Sequence, residues 1–380
     1  MEPPKKHVMI VAGEASGDLH GAELVKALKA KDPQITFSGL GGQRMRQQGV
    51  ALDEDLTRLA VVGFTEVLKH YPLFKKIFHQ FIADVKKRQP AAVILIDYPG
   101  FNLRLAKALH QQNIKIIYYI SPQIWAWKKN RIHDIKKHVD LMLVIFPFEK
   151  ELYDAHLIPN HFVGHPLLDA IHLSNDQAPF LKNCGFSKDN ITIGLLPGSR
   201  IREIERHLPV MIAAAEELSA DIPHLQFMIL KAQTIPGDFF LTFTQNLDSV
   251  KFRVISEAHY DMINACDICM VASGTATLET AILQKPMVVI YKTSLITWLI
   301  AKMFVKIKNI GLVNVVAGKQ IVPECVQFHA TPKKISHLIR RMLTDEVYLA
   351  QIKKDLRDIK KSLGGGGASQ NAADSILNSI

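Results

Sequence analysis

Short, uninterrupted apolar runs alternate with amphipathic stretches along this chain. HVMIVAG, AAVILID, IKIIYYI, DLMLVIF and HFVG in the first half each read as a strand. ITIGLLPGS, LQFMILK, KFRVIS, ICMVAS and PMVVIY do so in the second. A run that is apolar at nearly every position fits a parallel strand covered on both faces. Between the runs, AELVKALKA, NLRLAKALHQQ, LPVMIAAAEELSA and ATLETAILQ carry the three-and-four spacing of helices. Two successive βα series predict two doubly wound, Rossmann-like α/β domains with parallel sheets.

The first series closes on FVGHPLLDA, a polar, turn-rich stretch follows, and ITIGLL restarts the pattern. The expected organisation is an N-terminal domain over 1–165, a linker over 166–190, a C-terminal domain over 191–345 and terminal helices over 346–380. The GGGG run before the last helix is a flexible hinge. That helix is therefore expected to dock elsewhere, on the first domain or on a second subunit.

Composition narrows the partners. The 380 residues are 48% hydrophobic and 22% charged, the mixture of a folded protein with sizeable cores. Lys plus Arg is 46 against 36 for Asp plus Glu, a formal charge of +10, which favours anionic partners. No zinc finger, aromatic RNA-binding run or arginine-rich tail is present, so nucleic acid is not an expected partner. Cys266 and Cys269 form a lone C-x-x-C in a strand-like run. Opposite faces of a strand and a core role are expected for them, and no metal site. The N-terminal apolar run ends at Gly13, too soon for a signal peptide, and no run of 18 apolar residues spans a bilayer. The expected compartment is the cytoplasm.

In an open parallel sheet, ligands bind beyond the carboxyl ends of the strands. The first such place is VAGEASGDLHG, with glycines at 13, 17 and 21. Its spacing is neither the dinucleotide pattern nor a Walker loop. Glu14 and Asp18 would repel a pyrophosphate, so a sugar hydroxyl is the better guest. Gly13, Ser16 and Gly17 are then acceptor-binding candidates and Glu14 a candidate base. An ordinary βα turn with acids complementing the helix dipole is the plain alternative. The second place is LIDYPGFN, where Asp97 ends a buried strand as a candidate general base. Asn102 beside it is an acceptor-binding or capping residue.

The third is LLPGSRIREI. Gly198 and Ser199 let phosphate oxygens approach backbone amides, and Arg200 adds a bidentate cation. The fourth is the turn Ser273, Gly274 and Thr275 at a helix start, with Glu279 further in to accept from ribose hydroxyls. The fifth, around Asn314 and Gln320, carries amides in a loop, where a turn Asn is the default.

Two further segments are both apolar and basic. Residues 61–88 show a stripe of Val67, Tyr71, Phe74, Phe78, Phe81 and Val85 among lysines, and 295–310 repeat the theme with Trp298 and Phe304. Core packing and a peripheral membrane surface both fit them.

Taken together, GEASGDLHG, GLGG, VVGFTEVL, DYPGFN, SPQIWAWKKNR, FPFEKELY, FVGHPLLD, LLPGSRIREI, SGTATLE and NVVAGKQIVPE resemble the lipid-A-disaccharide synthases, inverting GT-B glycosyltransferases. The resemblance covers nearly the whole chain and departs in DYPGFN at Tyr98 and Gly100. It implies two Rossmann-like domains facing a central cleft. It also implies transfer from UDP-2,3-diacylglucosamine to 2,3-diacylglucosamine 1-phosphate (lipid X), giving a β-1,6-linked disaccharide 1-phosphate and UDP. No cofactor or divalent metal is implied. Asp97 becomes the favoured base, and Arg200, Glu279 and Asn314 become donor-side residues. Acylated substrates imply work at the cytoplasmic face of an anionic membrane, and family members can exchange C-terminal segments as homodimers. Two rival readings stay open: a UDP-sugar epimerase of the same fold, and a basic membrane-binding protein without catalysis.

Overall fold

The computed structural model describes residues 6–57, 64–174, 176–232, 235–244, 250–295, 297–299 and 308–380, without the side chains of 64–71 and 241. The chain divides into two compact units. One combines Met1–Asp169 with Leu363–Ile380, and the other is Ala170–Ser362.

The first unit is built on strands β1 (His7–Ala12), β2 (Thr36–Gly41), β3 (Ala51–Asp55), β4 (Ala92–Ile96), β5 (Ile116–Tyr119), β6 (Leu141–Val144) and β7 (Asn160–Phe162). They form one sheet in the order β3-β2-β1-β4-β5-β6-β7, parallel at every pairing. The order reverses at β1 and β4, whose register pairs Ala12 with Ile96. Asp97 and the glycine turn after Ala12 thus leave the sheet side by side at its switch point, the usual place for a ligand. The second unit repeats the plan with β8 (Ile191–Leu196), β9 (Leu225–Leu230), β10 (Phe252–Ile255), β11 (Ile268–Ala272), β12 (Met287–Tyr291) and β13 (Glu324–Val326). Its order is β10-β9-β8-β11-β12-β13, with the switch between β8 and β11. The turns carrying Gly198 and Gly274 leave from those two strands.

The helix Phe64–Arg88 turns its later residues to the core: Ile77, Phe81 and Val85 are buried, and Phe74, Phe78 and Ile82 pack against them. Phe78 meets Phe101 edge to face at 5.7 Å. From residue 74 onward the apolar stripe is therefore core, which removes those rings from a membrane surface. Residues 61–63 and the side chains of Val67 and Tyr71 lie outside the described residues. In the second segment, Leu295 and Leu299 are exposed and Trp298 meets Phe328 edge to face, while Phe304 lies outside the described residues. Among the described residues no helix is long and apolar enough to cross a membrane.

The two cysteines are both buried, but not on opposite faces. Cys266 precedes β11 rather than lying in it, so strand alternation does not apply. Both sulfurs come together over Gly194, where a Cβ would lie 2.8 Å from Cys266 Sγ and 3.2 Å from Cys269 Sγ.

The stretch 166–190 is folded rather than extended. It holds the helices Leu167–Ala170 and Gln177–Asn183. Ser174 N donates to Asp261 Oδ1 at 2.9 Å and Gln177 Nε2 to the Ala265 carbonyl at 3.1 Å, which ties this stretch into the second unit. The helix Glu346–Ser362 also belongs to the second unit, and the chain returns to the first at Leu363. There the helix Ala368–Leu377 packs on Ala15–Lys31 of its own chain. Asp169 accepts from Gly367 N at 2.6 Å and Ala368 N at 2.8 Å, capping the helix start. Ala368, Ala372, Ala373 and Ile376 form its buried face.

Candidate active site

Asp97 follows β4 in a left-handed backbone conformation, with φ of 43°, and Tyr98 follows at 46°. Non-glycine residues rarely hold that region unless their surroundings impose it. Here they do. Asp97 N donates to the Tyr119 carbonyl at 3.0 Å, and Tyr118 Oη donates to the Asp97 carbonyl at 2.5 Å. Asn102 Nδ2 donates to the carbonyls of Ile96 at 3.0 Å and Asp97 at 2.8 Å. Pro99 then starts the helix Pro99–His110. The result throws the Asp97 side chain out of the strand direction. Burial, and then the Glu14 carboxylate, push its pKa up to about 6.

The glycine turn divides its labour. Gly13 is required by the Tyr98 ring, since a Cβ there would lie 2.1 Å from Tyr98 Cδ1. Glu14 and Ser16 are exposed at the start of the helix Ala15–Lys31. Gly17 is buried against Ala12 and Ile96, where a Cβ would make ordinary van der Waals contact at 3.4 Å, so it packs helix on strand rather than facing a ligand. Asp18 is buried as well. Its carboxylate accepts from Gly42 N at 2.8 Å, Arg44 N at 3.0 Å and Met45 N at 3.0 Å, capping the short helix Gln43–Gln47. Of the two acids in this turn, only Glu14 is offered to a ligand. Asn102 is fully buried and orders the backbone under Asp97, with its Oδ1 lacking a partner among the described residues.

Sequence reasoning passed over three groups here. Tyr118 holds the Asp97 carbonyl, as above. His20 and His165 have pKa values lowered by burial to about 4 and about 3, so both are neutral at pH 7. Glu149 is buried, and that burial pushes its pKa up to about 8, while Trp125 Nε1 donates to its Oε1 at 3.2 Å. Of the two acids inside FPFEKELY, nothing in the sequence marks Glu149 as the one that faces inward.

In the second unit Gly198 stands at φ of 120° and opens the helix Ile201–Asp221. Glu203 turns back on that start. It accepts from Ser199 N at 3.2 Å and pairs with Arg200 Nη1 at 2.7 Å. Arg200 is 80% exposed, so its cation is available at the turn, though shared with Glu203. His207 braces the turn from below: Nδ1 donates to the Pro197 carbonyl at 3.0 Å and Nε2 accepts from Lys292 N at 2.9 Å.

At the β11 end, Ser273 Oγ donates to the Ile310 carbonyl at 2.9 Å. Gly274 adopts φ of 154° and Thr275 is exposed at the start of the helix Thr275–Ile282. Glu279 is largely buried and reaches His259 Nε2 at 3.3 Å. Asn314 is placed differently from the expectation. It is fully buried, and its amide is fully engaged: Nδ2 donates to Val322 O and Glu324 Oε1, both at 2.8 Å, while Oδ1 accepts from Ile321 N and Val322 N. Glu324 in turn accepts from Ile310 N and Gly311 N. Asn314 therefore shapes the loop that receives Ser273 and presents no free group of its own. Gln320 is exposed. No group of three His, Cys, Asp or Glu gathers as a metal site among the described residues.

Two parallel α/β units, each with its candidate groups at the switch point, define a GT-B-type architecture. The solved structure of the glycotransferase of kitacinnamycin has this fold, with a TM-score of 0.67 over all of both chains at 14% identity. The sequence takes the assignment further. A family model described as lipid-A-disaccharide synthetase matches residues 8–378. The lipid-A-disaccharide synthase of Trichlorobacter lovleyi is 41% identical over 99% of this chain and 98% of its own. Lipid-A-disaccharide synthase 1 of Legionella pneumophila strain Philadelphia 1 is 43% identical over the same shares. The chain belongs to the lipid-A-disaccharide synthetase family.

Proposed function

We propose that this glycosyltransferase of lipid A biosynthesis condenses UDP-2,3-diacylglucosamine with 2,3-diacylglucosamine 1-phosphate, with Asp97 as the base. The observation that carries the reading is the desolvated Asp97 carboxylate, lifted to about 6 beside Glu14. Such a base is ionised at neutral pH yet stronger than a solvated Asp. The acceptor 6-hydroxyl oxygen forms a bond to the donor anomeric carbon while the bond from that carbon to the phosphate oxygen breaks. The hydroxyl proton passes to an Asp97 carboxylate oxygen, and UDP leaves with the electron pair. Attack opposite the leaving group inverts the centre and gives the β linkage.

The leaving diphosphate needs fixed positive potential. Gly198, Ser199 and Arg200, with Ser273, Gly274 and Thr275, supply amides at two helix starts and one guanidinium. Glu203 has to yield Ser199 N and Arg200 to that ligand. Glu279 takes ribose hydroxyls, and Asn314 acts by positioning the 310–311 backbone. On the acceptor side, Gly13 makes room for Tyr98, Ser16 offers a hydroxyl, Gly17 packs the helix start on β1, and Asn102 sets the backbone. Acylated substrates place the work at the inner face of the cytoplasmic membrane. Exchange of the terminal helix between two copies belongs to the same reading, since the contacts Asp169 gives that helix are equally available to a partner's segment.

The test is UDP release on mixing both substrates with the protein. Asp97→Asn should lower kcat by about 100-fold or more while leaving UDP affinity unchanged. Full turnover in Asp97→Asn would remove Asp97 from the role.

A further inference from the structure

Two sequence motifs that the reaction leaves unused, SPQIWAWKKNR and FPFEKELY, meet in the first unit. A cavity of about 330 Å³ lies there, lined by Ile124, Trp125, Lys129, Ile132, Leu152 and His156. That volume is at the lower end of ligand-sized cavities, roughly 300 Å³ and above. Its walls are mostly apolar, with the half-buried His156 and the exposed Lys129 as the polar exceptions. Trp125 is built in rather than loosely placed. Its Nε1 donates to the buried Glu149 at 3.2 Å, and its ring meets Phe148 edge to face at 5.3 Å. Glu149 is held in turn by Phe146 N at 3.3 Å. His156 is fixed by its Nδ1 to the Leu152 carbonyl at 2.8 Å.

The cavity also has an address. Its loop leaves β5, the strand beside β4, and Asp97 N is bonded to the last β5 residue, Tyr119. The cavity is therefore built partly from the loop that follows the strand paired with β4, the strand that Asp97 follows. Beside it Trp127 is 45% exposed, with Lys128 Nζ at 4.6 Å and the Arg131 guanidinium at 5.3 Å from its ring. An apolar hole with a cationic rim complements a hydrocarbon chain attached to an anionic head. Water is a poor filler of such walls, and a soluble sugar would leave them uncovered.

We infer that the cavity between Trp125, Ile132 and Leu152 holds a fatty-acyl chain of the acceptor, with Lys129 toward its phosphate. This rests on the acceptor proposed above. Glu149 is a positioning residue that keeps the Trp125 wall in place.

The experiment uses the full-length protein and a series of 2,3-diacylglucosamine 1-phosphates of increasing chain length. Acceptor KM is measured at saturating donor, and direct binding by tryptophan fluorescence. In the wild type, each methylene that enters the cavity should tighten binding by up to about fourfold. Leu152→Trp and Ile132→Trp, which fill the cavity, should flatten that dependence and raise acceptor KM for the long-chain substrates, with donor KM unchanged. Glu149→Gln, which keeps an acceptor for Trp125, should retain the dependence, and Glu149→Leu should weaken it. Leu152 is only half-buried, so its variant guards against a fold lost at Ile132. An unaltered chain-length dependence in folded Leu152→Trp would overturn the inference while turnover stands. Chain-length-dependent binding lost in that variant, without UDP release by the wild type, would keep the cavity and reject the reaction. Neither binding nor release in the wild type would reject both.

Discussion

At the scale of the residue, Asp97 is held at a cost. Its pKa stands at about 6 in the fold against an ordinary 3.8. The folded state therefore binds the proton more tightly than the unfolded chain. The resulting stability is complete below the unfolded value, falls as pH rises from 3.8 toward 6, and is gone above that. The loss is about 3 kcal/mol at most. Asp97→Asn should therefore be more stable than the wild type in urea melts at pH 8, by up to that amount, and the gain should shrink at pH 4.5. No gain at pH 8 would mean that Asp97 is not desolvated. Asp97 was legible in the sequence because it ends an apolar run. Its neighbour Asp18 was less so: a glycine turn with two acids looks like one site, and only the fold sends Asp18 to the amides of Gly42, Arg44 and Met45.

At the scale of the element, strands that are apolar throughout announced themselves, and three others did not. β2 carries Ser38, Gly39 and Gly41, because a Cβ at Gly39 would lie 2.1 Å from the Ile10 carbonyl oxygen on β1. The glycine that lets the strand approach also erases its signature. β3 reads ALDED and lies at the sheet edge with most residues exposed, and β13 is three residues at the other sheet's edge. The start of Ile201–Asp221 was legible as a phosphate turn. That its own Glu203 would close on it was not, since Glu203 reads equally well as a solvated helix charge. Glu203→Gln should tighten UDP about threefold by calorimetric titration, in the range of an exposed charge interaction. Weaker UDP binding would show that Glu203 organises the turn for the ligand rather than competing with it.

At the scale of the whole molecule, two βα series were legible, but the points at which the chain passes from one unit to the other were not. The seam falls at Asp169 and the chain recrosses at Leu363, because the stretch after Ala170 finds hydrogen-bond partners in the second unit and the last helix finds an apolar face in the first. No periodicity encodes such a partner. Asp169→Ala should remove the cap of Ala368–Leu377, costing about 1 to 2 kcal/mol and speeding amide exchange in that helix. Unchanged exchange would place its anchorage elsewhere. The claim on which the proposed chemistry depends is that Asp97 takes the proton under the influence of Glu14. It is tested most directly by kcat/KM against pH in the wild type and in Glu14→Gln. The rate should rise through an inflection near 6 and level off above it, and the inflection should move lower in Glu14→Gln, where the neighbouring charge is gone. A profile without that inflection, or one that Glu14→Gln leaves in place, would contradict the account.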